Sequence, residues 1–174
     1  RNTAGSRAGK PGGGAMIEER RAEAMAAFFS FLHFVAAFAL VAALTAELIL
    51  IREELSVRNS FRILVADLVY GMSAGVVLVA GLLRVFYFEK GTSYYFASIP
   101  FLVKASLFLL VAAASIYPTV EFLSWYKPLR QGRQPLLTDR KRQVIRSIIH
   151  WELAGILAIV LCAALMAKGV GYRG

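Results

Sequence analysis

Charge is scarce in this chain of 174 residues, with Asp, Glu, Lys and Arg making up only 18%, where an ordinary soluble domain carries about 25%. Histidine occurs twice and cysteine once, at Cys162. One cysteine excludes an intramolecular disulfide and leaves the redox compartment open. The spacing of a zinc site and the pattern of a catalytic triad are both missing. Gly12-Gly13-Gly14 lacks the strand–loop–helix context that a phosphate-binding loop needs. No cleavable signal is evident: the first apolar run is too long for a signal h-region and leads into Ile51-Arg52-Glu53-Glu54.

What the chain has in quantity is apolar surface. Hydrophobic residues make up 58%, the mean hydropathy is +0.60, and the few charges cluster between long apolar runs. A helix of roughly 20 apolar residues crosses the hydrocarbon core of a bilayer. Four such runs occur, over about 25–51, 62–88, 97–125 and 146–170. Transmembrane strands would be ~9–11 residues long with alternating polarity, and these runs are continuously apolar. The expected fold is therefore all-α, a four-transmembrane-helix bundle over 25–170. Residues 1–24 form a disordered or weakly ordered tail and 171–174 a short one. Met16 reads as a natural start, with the glycine-rich residues 1–15 as an upstream extension. Pro118 is expected to loosen the last turns of the third span.

The net charge of +9 raises nucleic acid as a partner, but the basic residues flank the apolar runs instead of patterning a soluble surface. The expected partner is the lipid bilayer, with no nucleic acid. One face carries ten basic residues in the two connectors: Arg52, Arg58, Arg62, Lys127, Arg130, Arg133, Arg140, Lys141, Arg142 and Arg146. The other carries Arg20, Arg21, Lys90, Lys168 and Arg173, plus three in the tail. The positive-inside rule puts the richer face in the cytoplasm and both termini outside, in a bacterial inner membrane. Trp125, Tyr126 and Trp151 are expected at one interface, and Tyr87, Phe88, Tyr94, Tyr95 and Tyr172 at the other, where amphipathic rings favour headgroup depth. Gly71 and Gly75 form a GxxxG pattern. It reads as close packing within the bundle or as a homodimer contact.

Ionisable groups within a bilayer are costly and point to function by default. Glu47, Asp67 and Glu152 fall in one layer, near the connector side. His33, Arg84 and Lys104 fall in the other. At 100° per residue, His33 and Glu47, 14 residues apart, differ by about 40° and share a face; Glu152 and Met166 share another. Lys104 aligns with Phe108, Val111 and Ser115. A common inward face is the economical inference, with Arg84 and Lys104 alternatively snorkelling outward and His150 pointing away to an interface. The carboxylates would either pair with connector arginines (Glu47 with Arg52 or Arg58, Asp67 with Arg62 or Arg146) or line a proton or substrate path. His33 would be a satisfied core histidine or a ligand.

Phe31-Leu32-His33-Phe34, Ala46-Glu47, Asp67-Leu68-Val69-Tyr70-Gly71, Gly81-Leu82-Leu83-Arg84-Val85-Phe86 and Pro100-Phe101-Leu102-Val103-Lys104 resemble a family of four-helix bacterial membrane proteins, domain of unknown function 2214. The likeness runs from about 25 to 168 and implies fold and location but no chemistry. More distantly, the first and third spans are similar to HemJ-type protoporphyrinogen oxidases and CopD-type copper-resistance domains. The HemJ resemblance implies His33 as a haem b ligand and Lys104 as a residue needed for activity. No second histidine lies at the depth of His33, so a further ligand would be Met166, Lys104 or water. Three functions compete: a haem- or porphyrin-binding redox protein using His33; a proton- or substrate-conducting bundle using Glu47, Asp67 and Glu152, which would need homo-oligomers or partner subunits; and a structural or assembly subunit of a membrane complex.

Overall fold

The computed structural model describes residues 13–88, 99–168 and 170. The tail expected over 1–12, the aromatic anchors Tyr94, Tyr95 and Tyr172, the basic residues Lys90 and Arg173 and the side chain of Phe88 lie outside the described residues.

Four long helices account for most of the chain: α1 (Gly13–Leu50), α2 (Val57–Leu83), α3 (Ile99–Ser124) and, after the short α4 (Tyr126–Arg130), α5 (Asp139–Ala167). All four are long and apolar enough to cross a membrane. No strand occurs among the described residues. α1 starts at Gly13, so the expected tail is helical over 13–24. Its composition explains this: Met16–Ala24 is almost wholly Ala, Glu, Arg, Met and Ile, mostly strong helix formers. α2 and α5 likewise begin before their apolar runs, each at a hydroxyl cap. Ser56 accepts from the Asn59 amide at 3.1 Å, and Thr138 accepts from that of Lys141 at 3.5 Å. α2 ends in a π-helical turn over Arg84–Phe88. Pro118 lies inside α3 without ending it.

Neighbouring helices run antiparallel, as their cross-links show. His33 of α1 meets Val77 of α2, while Leu50 at the end of α1 meets Asn59 near the start of α2. Asp67 of α2 meets Thr119 of α3, and Glu121 of α3 meets Lys141 of α5. Arg52, just past α1, meets His150 of α5 at 3.4 Å. The helices thus form a ring in the order α1, α2, α3, α5. α1 packs most extensively on α2 and α3 on α5, with lighter contacts closing the ring.

The core is concentrated at the end where the two connectors lie. Leu40 and Leu44 of α1, and Ile51 just past it, meet Ile63 of α2, Phe122 of α3 and Ile145 and Ile149 of α5. Trp125, expected at the interface, is instead buried there, edge-on to Phe122 with ring centroids 4.9 Å apart. The chain turns at Trp125 into α4, whose Leu129 joins the same cluster. Trp151 and Tyr126 are exposed, as expected of anchors. Outward faces are apolar, with Leu109, Leu110 and Leu157 largely exposed. So continuous an apolar exterior suits lipid and would be untenable in water.

Of the two roles expected of the GxxxG pattern, close packing within the bundle does not occur. A methyl group added at Gly71 or Gly75 would meet nothing within 4 Å. The tight approach is at Gly155, where an added Cβ would lie 2.6 Å from Val111 Cγ2, so α3 and α5 touch there.

Candidate functional site

Toward the end of the bundle away from the connectors the helix pairs part, leaving a cavity of about 620 Å³ lined by all four long helices. Its walls are mostly aliphatic and aromatic, Phe34, Phe38 and Phe108 among them, and two nitrogen bases expected to face inward, His33 and Lys104, do line it. Phe108, Val111 and Ser115, on the face predicted for Lys104, line it too.

His33 is held on two sides. Its Nδ1 lies 3.0 Å from the Val77 carbonyl oxygen of α2. A carbonyl only accepts, so Nδ1 carries the proton and the ring's lone pair is on Nε2. Gly81 passes the ring so closely that an added Cβ would sit 3.4 Å from Cε1. Phe34 stands edge-on to the imidazole, with centroids 6.2 Å apart, and the Arg84 guanidinium lies 6.0 Å from the Phe34 ring centre. Arg84 therefore stands behind the cavity wall, not on it. Met166 is half-buried on α5 and is not among the lining residues.

At the opposite end of the cavity are three hydroxyls: Tyr70, Ser115 and Thr119. The Ser115 hydroxyl donates to the Ala112 carbonyl at 2.8 Å, and the Thr119 hydroxyl donates to Asp67 Oδ1 at 2.7 Å. Beyond this floor lie the predicted carboxyls, Glu47, Asp67 and Glu152, exposed by only 1%, 4% and 1%. They are close enough to interact electrostatically: Glu47 with both others, and Glu152 with Asp67. Of the expected arginine partners, Arg58 and Arg62 are exposed, and Arg146 is half-buried with its Nε unpartnered. Arg52 reaches His150, and no ion pair to any of the three carboxyls occurs among the described residues. Both carboxyl oxygens of Glu152 and Oε1 of Glu47 are buried without a hydrogen-bond partner. His150 is exposed and also bonded to the Arg146 carbonyl, in keeping with an interfacial place.

Sequence reasoning passed over Tyr70 and Thr119 as site residues. The signal was available: Tyr70 is three residues from Asp67 and Thr119 four from Ser115, so each shares a helical face with a residue already placed inside. Among the described residues, no group of three His, Cys, Asp or Glu is arranged to hold a metal ion.

A family model described as "Predicted membrane protein (DUF2214)" matches residues 25–171. No curated protein and no solved structure matches the chain, so the more distant likeness to HemJ-type and CopD-type proteins is not shown.

Proposed function

The chain belongs to the DUF2214 family of membrane proteins, and from that premise we propose that it is a bacterial inner-membrane protein that binds haem or a related porphyrin in the four-helix cavity. The observation that carries the reading is His33, an imidazole on the wall of a largely apolar cavity of about 620 Å³ with Nδ1 tied to a backbone carbonyl. Pockets for small organic ligands run to roughly 300–1,000 Å³ and are lined mainly by apolar and aromatic side chains. A histidine that ligates through one ring nitrogen commonly donates the other N–H to a carbonyl, which fixes tautomer and orientation.

The residues present fit such a group. His33 supplies the axial nitrogen, Phe34, Phe38 and Phe108 supply apolar wall, and Lys104 lines the same space. A bound haem would supply one-electron redox chemistry inside the bilayer. Within that chemistry Lys104 is the residue to hold an acidic substituent or pass a proton, because its ammonium is a movable point charge with three donors.

Protein purified in detergent from cells supplied with haem precursors is expected to show a Soret band that is lost in His33→Ala. A colourless preparation that takes up no added haem would contradict the reading.

A further inference from the structure

The three carboxyls beneath the cavity are not used by haem binding, and packing does not account for them. Leaving a buried acceptor without a partner costs about 1–3 kcal/mol, and more where it is charged. Apolar side chains of similar volume would fill the space without that cost. Yet Glu152 has two such oxygens and Glu47 one.

Their neighbours narrow what the layer takes up. α1 contributes Glu47, α2 Asp67 and Tyr70, and α5 Glu152, while α3 contributes only the hydroxyls of Ser115 and Thr119. Of the cations at this end, Arg52 is exposed and bonded to His150, while Arg142 and Arg146 of α5 are half-buried, each with its Nε buried and without a hydrogen-bond partner. Among the described residues none of them forms an ion pair with the three carboxyls. A metal ion needs several oxygens converging on one point, and no such group exists among the described residues. A proton needs only two oxygens, or one.

A path to the layer exists on each side. From the cavity, whose floor also carries the Tyr70 and Ser115 hydroxyls, the Thr119 hydroxyl, able to donate and to accept, leads inward to Asp67. On the outside, Glu152 borders a groove of about 400 Å³ between α3 and α5, together with Trp151, Gly155 and Leu107.

We propose that Glu47, Asp67 and Glu152 form a proton-exchange site beneath the cavity, reached through the hydroxyl of Thr119. The site holds whatever occupies the cavity and does not depend on the haem reading. Because the carboxyls interact, they titrate as a set, so a change at one moves the others.

The test is labelling of the purified full chain, in detergent, with dicyclohexylcarbodiimide across a pH series. This lipid-soluble reagent attacks protonated carboxyls, and adducts are mapped by mass spectrometry. Glu152 is expected to react faster than the exposed Glu18 and Glu19, along a titration curve whose midpoint moves by about one pH unit in Glu47→Gln. Should Glu47→Gln fail to fold, Thr119→Ala, which keeps all three carboxyls and removes the donor to Asp67, is expected to move the midpoint as well. Labelling of Glu152 no faster than of Glu18, or a midpoint unmoved in the folded variant, would overturn the proposal.

Discussion

At the residue scale, the glycines separate what small side chains permit from what they do. Gly71 and Gly75 match the spacing for close helix contact, but nothing approaches them. Gly155, which has no partner glycine four residues away, is where α3 and α5 meet. A spacing pattern shows that a backbone can be approached, whereas the approach itself depends on which face the partner helix presents, and Val111 decides that here. Gly155→Val is therefore expected to destabilise the bundle by about 1–3 kcal/mol through overpacking. Gly71→Ala and Gly75→Ala should be neutral, or stabilising by up to roughly 1 kcal/mol through helix propensity. Thermal unfolding in detergent checks both, and equal losses at Gly71 and Gly155 would contradict the geometry. The inward set was legible for a different reason. A lone charge in an apolar run has few places to go, so phase alone put His33, Lys104, Glu47, Asp67 and Glu152 inside. The absence of arginine partners for the carboxyls was not legible, because the direction a connector side chain takes depends on tertiary contacts such as that of Arg52 with His150.

At the element scale, hydropathy located the helices and misplaced their ends. It registers only the apolar part of a helix, so α2 and α5 were expected to start at 62 and 146, whereas they start at Val57 and Asp139. The caps Ser56 and Thr138, each followed by charged helix, were the signal that hydropathy overlooks. The π-helical turn at Arg84–Phe88 left no mark in the sequence pattern. The connector between α1 and α2 is clamped by one side chain: Asn59 Nδ2 donates to the Leu50 carbonyl at 3.0 Å and to that of Glu54 at 3.1 Å. Asn59 is itself buried, so Asn59→Ala removes two hydrogen bonds beside the core and leaves the carbonyls only their backbone donors, Glu53 and Ser56. The expected cost is about 1–3 kcal/mol, together with faster tryptic cleavage after Arg52. A melting temperature and cleavage rate equal to wild type would show that the clamp is idle.

At the scale of the whole molecule, the chain is two antiparallel helix pairs pressed together at the connector end and parted at the other. Close packing of Leu44, Ile51, Ile63, Phe122, Ile145 and Ile149 holds the closed end. The open end trades that packing for a cavity. Basic residues are concentrated at the closed end, from which the positive-inside rule predicts connectors in the cytoplasm and termini outside. A cysteine introduced at Arg133 is expected to resist an impermeant maleimide in intact cells and to react after lysis; reaction before lysis would reverse the topology. The polar groups then follow one another through the interior, from the carboxyl layer through the Tyr70, Ser115 and Thr119 hydroxyls to the cavity with His33 and Lys104. The cavity is the centre of this arrangement, and haem titration of the detergent-purified protein tests it most directly. One-to-one, saturable growth of a Soret band is expected for wild type, with none in His33→Ala, which removes the ligand, or in Ala74→Trp, which fills the space from α2 but leaves His33 in place. Equal haem uptake by all three proteins would contradict the account.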